Sequence, residues 1–140
     1  MKLVDVNVWL ATVWAGHEHH QVAKKWFDQE EDDLAFCRVT QMALLRMLTN
    51  KAITGLEALS RRGAWELFGN LVGDPRIRFL TEPQGLEASW IALSKRDDKS
   101  HLLWTDDYLA AFAQTANAEF VTLDRAFTKR YPSVRISYLS

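Results

Sequence analysis

The sequence predicts an α/β protein, a three-layer α/β/α sandwich built on a mostly parallel sheet of about four to five strands. Strand-like segments alternate with helical patterns along the chain, which is typical of parallel sheets with helical crossovers. The first apolar strand is followed directly by residues 8–15, which are apolar on nearly every side. A helix of that kind is buried. With 140 residues, 48% of them hydrophobic, we expect residues 1–140 to form one domain with a substantial core.

Five segments have the composition and pattern of strands. The first is apolar and ends at a carboxylate, and the third alternates polar and apolar residues as a half-buried strand does. The last segment is short and follows a proline, so we expect it at an edge of the sheet. The predicted strands are residues 2–5, 34–39, 76–80, 119–123 and 135–139.

The segments between the strands have helical spacing and recognisable start signals. Thr40 is predicted to cap the third helix, and the Thr54–Glu57 pair to form a capping box that opens the fourth. Pro83 is expected to start the fifth helix. The predicted helices are residues 8–15, 20–29, 41–49, 55–72, 83–93, 105–116 and 125–131. Gly63 and Gly69 weaken the fourth of these, which leaves a break near residues 61–63 open.

Composition excludes several classes of protein. The net charge of −1 gives no general attraction for nucleic acid, so any polyanion must be bound by local cations and metal ions. Cys37 is the single cysteine and lies in an apolar run, which predicts a buried thiol and excludes an internal disulfide or a cysteine-based zinc site. No signal peptide or membrane-length apolar run is recognisable, so we expect a cytoplasmic protein without membrane contact. Six tryptophans motivate the hypothesis of a homodimer interface.

Three carboxylates are predicted to meet at one edge of the sheet. Asp5 ends the first strand, Asp124 follows the fourth, and Asp106 opens the helix that runs antiparallel into the fourth strand. Gln41, in the helix after the second strand, belongs to the same edge. Carboxylates without nearby Cys or His select hard cations such as Mg²⁺ or Mn²⁺. Each aspartate taken alone is equally well explained as a helix cap or turn residue.

The same residues carry a resemblance to a known family. The segments 3–10, 105–113 and 121–127 resemble the first, third and fourth acidic motifs of PIN-domain proteins, and residues 38–50 are similar to the second-motif region of VapC toxins. The resemblance implies an endoribonuclease toxin of a type II toxin–antitoxin pair. It implies Mg²⁺ or Mn²⁺ held by Asp5, Asp106 and Asp124, an RNA substrate cleaved by metal-activated water, and an antitoxin partner.

The second motif departs from the family pattern, because the family's usual Glu is matched here by Gln41. An amide oxygen can ligate a cation but brings no charge, so Gln41 is at most a weak ligand. Asn7, Thr105 and Thr122 are candidates for positioning the carboxylates or water, and are equally well explained as capping and strand-end residues.

Basic residues that are candidates for binding RNA follow the last aspartate of the sequence pattern. Arg125, Lys129 and Arg130 come within six residues of Asp124. We prefer Arg125 as the RNA contact because it adjoins a candidate ligand.

Two other functions compete with the nuclease. A phosphohydrolase of the haloacid-dehalogenase type also places Asp after its first strand, but it needs Asp-x-Asp where this chain has Asp5-Val6-Asn7. A PIN-like RNA- or protein-binding module with weakened catalysis is favoured by Gln41 and disfavoured by the three aspartates.

Overall fold

The computed structural model describes residues 1–140 and contains a five-stranded, entirely parallel sheet in the order β3-β2-β1-β4-β5. The strands are β1 (Lys2–Val4), β2 (Leu34–Phe36), β3 (Ile77–Phe79), β4 (Glu119–Thr122) and β5 (Ile136–Tyr138). The helices are α1 (Val6–Val13), α2 (His20–Gln29), α3 (Arg38–Leu48), α4 (Lys51–Thr54), α5 (Arg61–Leu71), α6 (Leu86–Ser94), α7 (Trp104–Thr115) and α8 (Arg125–Arg130). The predicted fold class is confirmed, and β5 is an edge strand as expected.

The core lies in two layers, one on each face of the sheet. Side chains of successive strand residues point to opposite faces. Leu3 accordingly packs in a cluster with residues of α6, α7 and α8, whereas Val4 packs with residues of α1, α3 and α5. The thiol of Cys37 is buried, as predicted. No helix is long and apolar enough to cross a membrane.

The start of α3 differs from the prediction. The helix begins at Arg38 with Cys37 as its N-cap, so the prediction that Thr40 caps it is wrong. The Thr40 hydroxyl instead accepts a hydrogen bond from the Cys37 amide and donates one to the Cys37 carbonyl, each at 3.0 Å. Thr40 therefore stabilises the helix start from its first turn, and β2 ends earlier than predicted.

The predicted capping box at residues 54–57 is also wrong. Asn50 caps the short helix α4 by accepting a hydrogen bond from the Ala52 amide at 2.9 Å, and Thr54 ends that helix. Ser60 caps α5, accepting a hydrogen bond from the Gly63 amide at 3.0 Å. A Thr-x-x-Glu spacing does not specify a helix start where the preceding residues already form one.

The helix predicted from Pro83 begins three residues later, at Leu86. Gly85 precedes it with a φ of 89°, a left-handed conformation that breaks the helical path and favours glycine.

The sheet register brings the ends of β1 and β4 together. Val4 pairs with Val121, and the Asp5 amide donates a hydrogen bond to the Val121 carbonyl at 2.9 Å. The carboxyl ends of parallel strands form the edge at which α/β proteins bind ligands. The residues that follow β1 and β4 therefore line one shared cleft.

Candidate active site

Asp5 is fixed at the end of β1 by two hydrogen bonds. Its Oδ1 accepts a hydrogen bond from the Val6 amide at 2.8 Å, which makes Asp5 the N-cap of α1. Its Oδ2 accepts a hydrogen bond from the Thr122 hydroxyl at 2.7 Å. The side chain is buried, with the residue 8% exposed. Asp5 is therefore both a helix cap and a carboxylate held in a defined orientation.

The environment of Asp5 favours its neutral form. Burial raises the pKa of the carboxyl to about 6, although the hydrogen bonds from Thr122 and Val6 act in the opposite direction. That value includes a smaller upward contribution from the charges of Asp106 and Asp124. These charges act on Asp5 because all three carboxylates lie at the same edge of the sheet. A carboxyl with a pKa this far above its ordinary value is typical of functional sites.

Asp106 and Asp124 share one cation, the guanidinium of Arg130. One terminal nitrogen of Arg130 lies 2.7 Å from Oδ2 of Asp106 and 3.4 Å from Oδ2 of Asp124. Asp124 also caps α8, since its Oδ1 accepts a hydrogen bond from the Ala126 amide at 3.0 Å. Burial and the charge of Asp124 raise the pKa of Asp106, and the guanidinium limits that rise. Arg130 thus compensates part of the repulsion between carboxylates.

Two predicted positioning residues connect these groups. The Thr122 hydroxyl donates to Asp5 and accepts a hydrogen bond from the Asp124 amide at 3.0 Å. The Asn7 side-chain oxygen accepts a hydrogen bond from the Leu123 amide at 3.3 Å. Both side chains therefore fix the loop after β4 against the loop after β1.

Three predicted residues lie outside this hydrogen-bonded group. Gln41 is buried on the first turns of α3, but its oxygen accepts a hydrogen bond from Arg38 at 2.6 Å, and it lines a separate cavity beside β3. Thr105 is exposed and has no side-chain hydrogen bond. The Arg125 guanidinium lies over the Tyr138 ring, 5.2 Å from its centre. Their roles toward metal or RNA stay predictions.

Comparison with known proteins identifies the family. Residues 2–131 match the PIN domain family model. The chain is 40% identical over 146 residues to Ribonuclease VapC41 of Mycobacterium tuberculosis, a match that covers 100% of this chain and 99% of that protein. The chain belongs to the PIN domain family.

Solved structures agree on the fold of this PIN domain. VapBC2 from Rickettsia felis, bound to a DNA fragment from its promoter, superposes with a TM-score of 0.71 at 11% identity, covering 99% of this chain and 98% of that one. VapC20 of Mycobacterium tuberculosis, a sarcin-ricin loop cleaving toxin, superposes with a TM-score of 0.69 at 17% identity, covering 92% and 94%. The family assignment disfavours the haloacid-dehalogenase alternative.

The donor set of this PIN domain suits a hard divalent cation. Three ionised carboxylates and the Arg130 guanidinium carry a formal charge of −2. Without the guanidinium the charge is −3, of which one divalent ion would balance two. The donors are all oxygens, as Mg²⁺ and Mn²⁺ prefer. No three acidic, histidine or cysteine side chains lie close enough to share an ion in this structure, in which Arg130 pairs with Asp106 and Asp124. Asp5, Asp106 and Asp124 would hold the cation once the guanidinium moves away.

Replacing Thr122 by Val is expected to displace the acid limb of the pH–rate profile. The substitution removes the hydroxyl that donates to Asp5 and leaves the Asp124 amide without its acceptor. We expect the pKa of Asp5 to rise above its value of about 6, and stability to fall by about 1–2 kcal/mol. The RNA cleavage rate tests this when it is measured between pH 5 and 8 at Mn²⁺ concentrations below saturation, where the proton and the ion compete for Asp5. Thr122→Ser keeps the hydroxyl and serves as the control, and an unchanged acid limb in Thr122→Val would contradict the role.

Sequence reasoning named Arg130 among the cations but missed its position between two aspartates. A further carboxylate of α7, Asp107, accepts a hydrogen bond from the Tyr131 hydroxyl at Oδ1 and so ties α7 to the end of α8. A basic residue at the end of the helix that Asp124 caps could have predicted the Arg130 ion pair. That prediction would also have required knowing that α8 packs beside α7.

Proposed function

We propose that this PIN domain is an Mg²⁺- or Mn²⁺-dependent endoribonuclease and the toxin of a type II toxin–antitoxin pair. The observation that carries the proposal is the cluster of Asp5, Asp106 and Asp124 at the carboxyl ends of β1 and β4, with a buried Asp5 of raised pKa. The full-length similarity to a protein named a ribonuclease supports the same conclusion.

The residues of the cluster have separable roles in this proposal. A bound divalent ion supplies Lewis acidity and a water of lowered pKa. Hydrogen bonds from Thr122 and Val6 hold the Asp5 carboxylate in one orientation, and it is mostly ionised, and so an anionic ligand, above pH 6. Asp106 and Asp124 complete the oxygen donors. When it leaves these carboxylates, Arg130 can neutralise a phosphate oxygen of the substrate.

The partner we propose is an antitoxin protein. Neighbours of the same fold include a toxin–antitoxin complex from Klebsiella pneumoniae, with a TM-score of 0.63. An antitoxin that presents a cationic side chain would complement the −2 charge of the cluster. A homodimer remains a prediction that sedimentation can test. A cytoplasmic location follows from the RNA substrate of this proposal.

Cleavage of total cellular RNA by the purified protein tests the proposed function. We expect cleavage with Mg²⁺ or Mn²⁺, none with chelator, and loss of at least about 100-fold in Asp5→Asn, because a metal ligand is removed. Asp33→Asn is the matched control: Asp33 precedes β2 at the opposite edge of the sheet and pairs with Arg78 at 3.2 Å. Metal-independent cleavage, or full activity of Asp5→Asn, would contradict the proposal.

A binding module is the second candidate function, favoured by Gln41. This amide stands where the resemblance expects a Glu, and its oxygen accepts a hydrogen bond from Arg38. If RNA is bound but never cleaved with either cation, this alternative replaces the nuclease. Recovery of cleavage in Gln41→Glu would identify the amide as the cause.

A further inference from the structure

A cavity of about 530 Å³ lies beside the carboxylate cluster, between the loop after α6 and the start of α7. None of Asp5, Asp106 and Asp124 lines it, but Arg130 does, and this side chain joins the cavity to the cluster. Cavities of 300–1,000 Å³ are typical of ligand sites. We call this space the α6–α7 cavity.

Its cations are available to a ligand. Lys95 and Arg96 line the α6–α7 cavity, both are exposed, and neither takes part in an ion pair. Arg96 uses only its Nε, which donates to the Leu93 carbonyl at 2.9 Å.

Each acidic side chain of the α6–α7 cavity accepts one hydrogen bond from a neighbouring residue. Asp107 accepts a hydrogen bond from the Tyr131 hydroxyl, and Asp98 accepts one from the Ser100 amide at 3.0 Å. The exposed charges of the lining are therefore two cations, Lys95 and Arg96, and one anion, Asp98.

The aromatic wall of the α6–α7 cavity is Trp104. Trp104 is the first residue of α7, and it is 55% exposed. Trp90 approaches it edge-on, with ring centres 6.3 Å apart and planes at 82°, and donates its indole N–H to the Trp104 carbonyl at 3.1 Å. These contacts support the position of Trp104 and leave much of its ring open to solvent. An exposed, supported ring is suited to stacking with a flat ligand.

We propose that the α6–α7 cavity is a nucleotide subsite for single-stranded RNA beside the cleaved phosphodiester. One base stacks on Trp104, and the neighbouring phosphates contact Lys95 and Arg96. Base stacking on aromatic rings combined with cations along the backbone is the usual way proteins hold single strands. Arg130 lines the cavity and also contacts the carboxylates. An RNA strand bound at the carboxylates could therefore extend into the cavity, which favours RNA over a peptide as the occupant. This inference rests on the proposed function.

The stacking step is tested by RNA binding in the Asp5→Asn protein with chelator, so that cleavage does not interfere. The probe is a fluorescently labelled 20-nucleotide single strand of mixed sequence, measured by anisotropy. Trp104→Ala is expected to weaken binding by about 5- to 100-fold, and Trp104→Phe to keep most of the affinity. Trp65→Ala is the matched control, because Trp65 is also 55% exposed. Melting curves verify that each variant folds.

The phosphate step has its own readout in the salt dependence of binding. Loss of two phosphate contacts with single-stranded RNA should reduce the slope of log K against log salt by about 1.4. We expect this for the Lys95→Ala/Arg96→Ala double variant and not for Lys51→Ala/Arg62→Ala, a pair of exposed cations on α4 and α5.

The outcomes separate this inference from the proposed function. If the wild-type protein cleaves RNA but the Trp104 and Lys95/Arg96 variants bind it as tightly as the controls, the subsite is overturned and the nuclease stands. If the same variants lose a protein partner instead of RNA, the cavity is a protein interface. If the wild-type protein neither binds nor cleaves RNA, both conclusions fall.

Discussion

Replacement of Asp5 by Asn is expected to stabilise the metal-free protein at pH 7 by up to about 3 kcal/mol while it removes RNA cleavage. Burial and two neighbouring carboxylates raise the pKa of Asp5 to about 6 in the folded state, against an ordinary value near 3.9 when unfolded. The difference between these two pKa values corresponds to roughly 3 kcal/mol. Asparagine fits the same space and has no charge to bury.

The sign of this effect fixes its pH dependence. Between pH 4 and 6 the folded protein holds a proton on Asp5 that the unfolded chain has already released. The stability of the wild-type protein therefore falls as the pH rises through this window, and the loss is complete above pH 6. Asp5→Asn has no such loss. The two proteins should be similarly stable near pH 4 and diverge up to pH 7.

Urea unfolding in chelator at pH 4.5 and 7.5 measures this divergence. Asp33→Asn provides the control, because Asp33 is partly exposed and paired with Arg78, and an exposed pair contributes less than about 1 kcal/mol. Addition of Mn²⁺ should stabilise the wild-type protein and not Asp5→Asn. An Asp5→Asn protein less stable than wild type at pH 7.5 in chelator would show that the burial of this charge is compensated elsewhere.

The sheet and its active edge could be predicted from the sequence because they depend on the alternation of elements. Once strands and helices alternate, parallel pairing and right-handed crossovers determine which ends of the elements meet. Asp5 and Asp124 each follow a strand, and Asp106 begins the helix before β4, so their common edge followed from topology. The structure brings these three side chains to that edge, with Thr122 between Asp5 and the Asp124 amide.

Side-chain direction and helix starts could not be predicted in the same way. Gln41 lies on the expected helix, yet its side-chain oxygen accepts a hydrogen bond from Arg38, one turn earlier in α3. Thr40 has the chemistry of a cap but acts from inside the first turn. The partner of the Arg130 guanidinium depends on how α8 packs beside α7, a contact between residues 24 positions apart. Such choices depend on packing, which sequence periodicity does not encode.

Replacement of Arg130 by Ala is expected to make the protein less stable without metal and to tighten its binding of Mn²⁺ by about tenfold. The guanidinium lies 2.7 Å from Asp106 and 3.4 Å from Asp124, where it balances part of their charge. A divalent cation needs the same oxygens, so arginine and metal compete. Arg130 is about one-third exposed, and a pair of that kind contributes about 1 kcal/mol, close to the 1.4 kcal/mol of a tenfold change in affinity.

Calorimetric titration with Mn²⁺ and thermal unfolding with and without chelator give the two halves of this prediction. We expect a loss of about 3 °C in chelator, reversed by Mn²⁺. Arg130→Lys should give an intermediate affinity. Lys129→Ala, on the same helix and exposed, should leave both quantities unchanged. If Mn²⁺ binds Arg130→Ala more weakly than wild type, the guanidinium holds Asp106 and Asp124 in position for the ion. If binding is tighter but cleavage is slower, Arg130 has two successive partners, first the carboxylates and then the phosphate of the RNA.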